Sequence, residues 1–308
     1  MIISVVIATY NRSASLKQVL DQLLEQEVPP GITLDFLVVD NNSKDNTRQI
    51  VESYIPLFSR RLRYLFEGRQ GKPFALNLGI KESRGEIVAF TDDDVNLDKK
   101  WLANLAECFK KTSCDGVGGK VLPIYPDNTP QWLKDYPHQA AGIVVIYDGG
   151  QESRRLNPSS MDLFIGANFA FRRSVLEECG SFRTDLIFGK VALGEDLELI
   201  ERLLAKNKIL YYSSDVLIWH PVDLQRARLN RVAQWHIALG MFAARMESET
   251  NEKFACMFGV PRYILKGLLK ELFLMIVSIF NWIVFFKHYR SFYRLIGMVK
   301  EYRRQYAK

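Results

Sequence analysis

Cysteine is scarce in this chain. Four cysteines, Cys108, Cys114, Cys179 and Cys256, are spread over 308 residues. None forms a CxxC pair, so the spacing of a zinc site is missing, and four thiols in a chain this long do not build a disulfide scaffold. Reduced core thiols of a cytosolic protein are the expectation. A phosphate loop is missing too: Gly68-Arg69-Gln70-Gly71-Lys72 lacks the GxxxxGK[ST] spacing, and Pro73 follows the lysine. No basic stretch precedes the apolar start, so residues 2–7 read as a first strand and not as a signal peptide. No apolar run is long enough to cross a bilayer. The run at 272–286, broken only by Ser278 and Asn281, would span about 22 Å as a helix, against a hydrocarbon core of roughly 30 Å. There is no internal repeat and no low-complexity stretch. With 48% hydrophobic and 25% charged residues, the composition excludes a disordered chain, a collagen-like fibre and a polytopic membrane protein.

The net charge of +6 is unevenly placed. Residues 259–308 hold ten Lys and Arg against two Asp and Glu, and the other 258 residues hold 31 against 33. A nucleic-acid binder spreads its basic residues over the folded face that meets phosphates, so no nucleic-acid partner is expected. A basic tail on a neutral body points to an anionic surface such as a membrane leaflet. Within 262–308, Lys266, Lys270, Lys287, Arg290, Arg294, Lys300, Arg303 and Arg304 are interleaved with Tyr289, Phe292, Tyr293 and Tyr302. That mixture suits a segment lying in the membrane interface; a core helix or a homo-oligomer contact is the alternative.

What is present is an alternation of strand and helix. Near-continuous apolar runs at 2–7, 34–39, 62–66 and 86–91 read as strands, and helical spacing appears at 16–24, 47–54, 74–82 and 101–109. Such strands imply a mostly parallel sheet with helices on both faces. Residues 121–160, with Pro123, Pro126, Pro130, Pro137 and Pro158, read as a long irregular excursion. Order returns at 164–171, a helix is expected from Glu195, and 209–212 and 216–219 are short strands.

Ligands of parallel sheets bind beyond the carboxyl ends of the strands. The polar clusters stand there: Thr9-Tyr10-Asn11, Asp40-Asn41-Asn42 and Asp92-Asp93-Asp94. Asp92 and Asp94 leave an extended chain on the same side. Two carboxylates so placed repel unless a cation neutralises them, and oxygen ligands select Mg²⁺ or Mn²⁺. Asp40 could accept from a base N–H or a ribose hydroxyl, and Tyr10 could stack on a base. Each is also an ordinary turn residue. Lys72 or Arg69 could pair with a diphosphate. Glu195-Asp196 could simply complement a helix dipole, and His220 is a lone histidine before Pro221.

The ordered set resembles the family 2 glycosyltransferases, which have the GT-A fold. The matching stretches are Val5-Val6-Ile7-Ala8-Thr9-Tyr10-Asn11-Arg12; Val38-Val39-Asp40-Asn41-Asn42-Ser43 with Asp45 and Thr47; and Gly71-Lys72-Pro73-Phe74-Ala75-Leu76-Asn77-Leu78-Gly79. They continue with 85–94, ending in the three aspartates, then Gly166-Ala167-Asn168-Phe169-Ala170-Phe171-Arg172, Glu195-Asp196 and His220. The resemblance implies a Rossmann-like glycosyltransferase domain over 1–225, with a nucleotide-binding half (1–120) and an acceptor half (121–225). A helical, basic-aromatic extension follows at 226–308, membrane-associated or oligomerising. It implies inverting transfer of one sugar from a nucleotide-sugar, most often a UDP-sugar, to an acceptor hydroxyl, for which the tail suggests a glycan or lipid-linked acceptor. The family leaves the acceptor open; the basic, membrane-proximal tail points to cell-surface polysaccharide or glycolipid synthesis, peripheral on the cytoplasmic face of a membrane. Thr9, Tyr10, Asn11, Arg12, Asp40, Asn42, Lys72, Asn77, Asp92 and Asp93 are then nucleotide-binding positions. Asp92, Asp94 and His220 would hold Mn²⁺ or Mg²⁺, Asp196 would be the general base, and Glu195 its neighbour. Processive members carry QxxRW; here only Gln234-Trp235 appear, which favours single addition. A sugar-phosphate nucleotidyltransferase would want a Gly- and Arg-rich loop after the first strand, which Ala8-Thr9-Tyr10-Asn11-Arg12 does not supply. A non-catalytic nucleotide-sugar-binding protein would have lost one of Asp92, Asp94, Asp196 or His220.

Overall fold

The computed structural model describes residues 1–157, 163–188, 191–250 and 254–306. Pro158, part of the expected excursion, and the last two residues of the tail lie outside the described residues. Along the chain run β1 (Ile2–Thr9), α1 (Ser13–Leu24), β2 (Thr33–Asp40), α2 (Thr47–Tyr54), β3 (Leu62–Phe66), α3 (Lys72–Glu82), β4 (Ile87–Thr91), β5 (Asn96–Leu97), α4 (Trp101–Thr112) and β6 (Gly116–Ile124). Next come α5 (Gln131–Asp135), β7 (Arg154–Arg155), β8 (Asn168–Arg172), α6 (Arg173–Cys179), β9 (Ile187–Phe188), β10 (Val191–Ala192), α7 (Glu195–Ala205) and β11 (Leu210–Pro221). The chain ends with α8 (Leu229–Ser248), β12 (Cys256–Met257), β13 (Val260–Pro261), α9 (Arg262–Val277) and α10 (Trp282–Tyr306).

Two compact units divide these elements. The first comprises Met1–Pro126, Val145–Asp185 and Glu195–Val222. Its sheet runs β3-β2-β1-β4-β8-β6-β11-β5, with β7 beside β11. β3, β2, β1 and β4 are parallel, as are β6 and β11, while β8 lies antiparallel between β4 and β6. Ile3, Val5, Val6, Leu37, Val38, Val88 and Ala89 are completely buried, which is the signature of a sheet covered on both faces. The expected α/β architecture is therefore present. β1, β2 and β4 end side by side, Thr9 paired with Asp40 and Ile7 with Thr91.

Local differences have local causes. Ser13-Ala14-Ser15 reads as a helix cap, but no side chain of its own closes the start of α1. The Ser13 N–H donates instead to Asp45 at 2.9 Å. α3 begins at Lys72, because Pro73 fits the first turn, where its missing N–H costs nothing. The two short strands at 209–219 are one strand with a bulge between Ser213 and Leu217. β6 escaped the pattern because its sequence, GVGGKVLPI, is too rich in glycine to read as a strand.

The second unit comprises Asp127–Val144, Leu186–Gly194 and Asp223–Lys308. Its framework is α8, α9 and α10. α8 and α10 cross where Gly240 meets the Arg294 carbonyl and Gly297 meets the Ile237 carbonyl. The apolar run at 272–286 is not one helix. Ser278 donates its hydroxyl to Leu274 O at 2.7 Å, and Asn281 Oδ1 accepts from Val284 N at 3.2 Å. The two polar residues that interrupt the run thus end α9 and cap α10, folding it into a helical hairpin.

Candidate active site

The site of the first unit is built where β1, β2, β4 and β11 end. The chain turns sharply there, with Asn11 (φ 52°) and Asn42 (φ 67°) in the left-handed region that asparagine tolerates best among side-chain-bearing residues. Asn11 N donates to Ser43 Oγ at 2.9 Å and Asn11 Oδ1 accepts from Lys44 N at 2.6 Å, tying the β1 and β2 loops together.

Asp40 is buried and fixed from two sides, by Ser43 N on Oδ1 and the Tyr64 hydroxyl on Oδ2, both at 2.8 Å. It opens onto a cavity of about 390 Å³ whose other walls include Ser43, Asp45, Arg48, Tyr64 and Phe66. Arg48 lies over the Tyr64 ring. Burial, followed by the bond to Asp40, holds the Tyr64 phenol above its ordinary range. Tyr10 stands exposed after β1.

The three aspartates after β4 split between two cations. Lys72 Nζ meets Asp92 Oδ1 at 2.5 Å. Arg12 Nη1 bonds Asp93 Oδ1 at 3.1 Å and also pairs with Asp94 Oδ2. Burial opposes charge on Lys72, but Asp92, then Glu195 and Asp196, outweigh it and raise its pKa. Burial likewise opposes charge on Asp92, yet Lys72 holds that carboxyl below its ordinary value. Burial pushes Asp93 up to about 6 despite Arg12.

His220, buried near the end of β11, brings Nε2 to 3.5 Å from Asp94 Oδ1. Its Nδ1 lies 2.9 Å from Pro221 O. A carbonyl only accepts, so Nδ1 carries the hydrogen, and in the neutral imidazole Nε2 turns a lone pair toward Asp94. Donor atoms of Asp92, Asp94 and His220 lie within 4.8 Å of one another. Two carboxylates and one imidazole whose donor atoms approach this closely fit Mn²⁺ or Mg²⁺.

Asp196 stands in the first turn of α7. Its Oδ2 accepts from Gly166 N and its Oδ1 from Leu197 N, both at 2.9 Å. Glu195 is buried beside it and pushed up to about 7 by that burial and by Asp196. Lys72 lies within electrostatic reach of Glu195 and Asp196 as well as Asp92.

The structure therefore gathers Arg12, Lys72, Asp92, Asp93, Asp94 and His220 into one cluster, with Asp196 and Glu195 coupled to it through Lys72. Asp40 closes β2 with Asn42 after it, and Asn11 follows the neighbouring β1. Asn77 is committed elsewhere: Nδ2 donates to Phe182 O at 2.8 Å and Oδ1 accepts from Phe182 N at 2.9 Å. Sequence reasoning passed over Tyr64, Phe66 and Arg48. The parallel register that pairs Asp40 with Phe66 and Val38 with Tyr64 is the signal that finds the first two. Asn41 accepts from Gly71 N and donates to Arg69 O, both at 2.7 Å, and so holds the loop that presents Lys72.

Solved structures share this fold. A mannosyltransferase, PcManGT of Pyrobaculum calidifontis, in complex with GDP-Man and Mn²⁺, superposes with a TM-score of 0.57 at 20% identity, covering 97% of this chain and 73% of that one. TarS 1–349 of S. aureus, in complex with UDP-GlcNAc, does so with a TM-score of 0.57 at 17% identity, covering 100% and 92%. The fold is that of the GT-A glycosyltransferases. The family model of glycosyl transferase family 2 matches residues 4–180, and the chain belongs to that family. Among curated relatives, the glycosyltransferase AglE of Haloferax volcanii is 27% identical over 219 residues, 71% of this chain. The succinoglycan biosynthesis protein ExoM of Rhizobium meliloti is 24% identical over 247 residues, 80% of this chain. The matched region spans 66% of AglE and 75% of ExoM.

Proposed function

We propose that the protein moves one sugar, with inversion, from a nucleotide-sugar to a hydroxyl of a glycan or lipid-linked acceptor in polysaccharide or glycolipid synthesis. The observation that carries this reading is the convergence of Asp92, Asp94 and His220, whose donor atoms lie within 4.8 Å of one another, at the edge of the sheet where β1 and β2 also end. Asp40 accepts from the base, with Thr9, Tyr10, Asn11 and Asn42 around the nucleoside. Arg12 and Lys72 face the diphosphate. Asp93 holds Arg12, and Asn77 acts from behind by fixing the Phe182 backbone. Mn²⁺ or Mg²⁺ at Asp92, Asp94 and His220 would supply positive charge for the leaving diphosphate.

Asp196 takes the acceptor hydroxyl proton as that oxygen bonds to the anomeric carbon. The bond from that carbon to the diphosphate breaks on the opposite face, and its electron pair leaves with the nucleoside diphosphate. Two backbone N–H groups aim the Asp196 carboxylate, and lone pairs remain on both its oxygens for the acceptor. Buried Glu195 sits at its side in the acceptor region.

A UDP-sugar is the donor this reading favours; relatives named for GDP-Man and UDP-GlcNAc complexes bracket the choice. ExoM, named for succinoglycan biosynthesis, supports a polysaccharide setting. No helix of the described residues is long and apolar enough to cross a membrane, and the reading places the enzyme peripherally on a cytoplasmic face.

Calorimetric titration with UDP and GDP, each with Mn²⁺, Mg²⁺ or EDTA, tests the donor site. UDP binding that needs the cation and disappears in Asp94→Ala is the expected result. GDP preference changes the donor class. Absence of binding to either by folded protein overturns the reading.

A further inference from the structure

Within the second unit, α9 runs antiparallel to α10. Ile264 and Met298 share one apolar cluster, Gly267 faces Leu295, and Glu271 meets His288 at 2.7 Å. α8 covers α10 from Tyr289 onward: Tyr289 donates to Leu229 O at 3.0 Å, Gly240 meets Arg294, and Arg245 pairs with Glu301. The last turns of α9 and the turn into α10 lie past these contacts, and there the apolar side chains face outward. On α9, Leu269, just before Glu271, then Phe273 and Ile276 repeat at helical spacing with exposures of 72, 63 and 60%, and Phe280 in the following turn is 101% exposed. Val277 and Ile279 flank them, also exposed. A contiguous apolar surface of this kind calls for an occupant.

We propose that this hairpin tip docks on an anionic lipid bilayer. Phe273, Ile276, Ile279 and Phe280 enter the headgroup–acyl boundary, while Lys266, Lys270 and Lys287 meet the lipid phosphates. The inference deepens the membrane part of the reading above and is independent of the donor site.

Charge selects the occupant. Exposed Arg262, Lys266 and Lys270 climb the same side of α9 at four-residue steps, and exposed Lys287 stands on α10. The acidic residue among them, Glu271, is paired with His288 and largely covered. Dimension agrees with charge. Lys270 precedes Val277 by seven residues, about 10 Å along a helix. Interfacial segments bury their apolar side by about 5–10 Å. With the tip at that depth, the lysines stand at headgroup level. A second copy of this chain fits worse, because a two-fold contact over the tip would bring the lysine rim against its own equivalent.

The assignment also narrows the membrane surface. Much of the basic-aromatic stretch after Lys287 is used inside the unit. Arg290 lies over Phe286, Tyr289 bonds to α8, and Arg304 pairs with buried Glu301. The docking surface is the hairpin tip and not the tail as a whole.

Co-sedimentation of the full chain with phosphatidylcholine vesicles, with or without phosphatidylglycerol, tests the proposal. The wild type is expected to pellet with the anionic vesicles. The double variant Phe273→Asp/Phe280→Asp should lose at least about tenfold of that binding while melting like the wild type. Lys266→Glu/Lys270→Glu should lose the preference for anionic lipid. Ile279→Asp, in the turn outside both helices, repeats the test should the aspartate pair melt early. UDP titration of the same preparations reads the donor site separately. A wild type that stays in the supernatant, or aspartate variants that pellet as it does, overturns the proposal. So does a wild-type dimer in light scattering that the aspartate pair turns into a monomer without changing vesicle binding; a second copy is then the occupant.

Discussion

Arg12 and Lys72 each neutralise a carboxylate that the proposed chemistry needs for something else. Arg12 pairs with Asp94 and Lys72 with Asp92, so a divalent cation must compete with Arg12 for Asp94. Arg12→Met should therefore tighten Mn²⁺ binding in the absence of nucleotide by about tenfold, or ~1.4 kcal/mol, and weaken UDP binding by a similar factor. Calorimetry with each ligand reads both signs, and weaker Mn²⁺ binding would mean that Arg12 supports the cation site instead of contesting it. At the proposed nucleoside site, Tyr64→Phe removes the hydroxyl that holds Asp40 Oδ2. One neutral donor to a charged acceptor is worth about 1.5–3 kcal/mol, part of which reaches the ligand, so UDP affinity should fall several-fold with the cation dependence intact. Asp196→Asn separates chemistry from binding: UDP affinity stays, and transfer slows by about 10²–10⁴-fold in a turnover assay. The aspartates were legible because each cluster abruptly ends an apolar strand. Tyr64 and Phe66 were not, because β3 alone gives no hint of its neighbour, and only pairing with β2 sets them beside Asp40. Arg12 was legible as a motif residue, but its partners, 81 and 82 positions away, were not.

Elements that depend on close approach hide from periodicity. β6 carries glycines where side chains would signal a strand, because Gly119 lies under the Val216 carbonyl and Gly118 under Phe164. The crossing of α8 and α10 follows the same logic. A Cβ on Gly240 would sit 1.8 Å from Arg294 O, and one on Gly297 2.0 Å from Ile237 O. Backbone cannot yield as a flexible side chain does, so the helices must separate. Gly240→Ala should cost about 1–3 kcal/mol despite its better helix propensity, seen as a lower midpoint in thermal melts. A melt equal to the wild type would mean that the crossing has slack. The same helix pair carries a pH response. His236 is buried on α8, its Nδ1 lies 2.9 Å from Val232 O, and its pKa is lowered to about 4 by burial, helped by Arg290 and Arg294. The unfolded chain binds a proton there near 6.5, so it holds more protons than the folded one between about 6.5 and 4. The stability this provides is full above 6.5 and is lost as pH falls through that window, by at most about 3 kcal/mol. His236→Gln should flatten that part of the profile in denaturant titrations at several pH values.

At the scale of the whole molecule, the sequence shows the first unit better than the second. The alternation of apolar strands and helices is a local signal and reads directly as a mostly parallel sheet with polar clusters at its strand ends. The second unit is assembled from distant pieces, and nothing local announces which of them belong together. The chain alternates between the units, with 127–144 and 186–194 belonging to the second and 145–185 and 195–222 to the first. Leu186 and Phe188 are buried in one cluster with Ala238 and Phe242, and Trp132 packs on Trp282 and Phe286. A boundary drawn at 225 from the reach of the family motifs leaves those pieces on the other side of the cut. Deleting 226–308 should then strip apolar cover from Leu186, Phe188 and Trp132, while every proposed catalytic and nucleotide-binding residue stays in the chain. Each buried large apolar side chain contributes about 1.5–3 kcal/mol, which is comparable with much of the 5–15 kcal/mol by which proteins are stable. The truncated protein is expected to bind a hydrophobic dye, scatter light at concentrations where the full chain does not, and melt at lower temperature. Restoring 226–261 alone, which returns Ala238 and Phe242 but not α9 or α10, should recover only part of the loss, because α8 still lacks the helix it crosses at Gly240. A truncated body that melts like the full chain and leaves the dye dark would mean that 226–308 gives Leu186, Phe188 and Trp132 no cover they depend on.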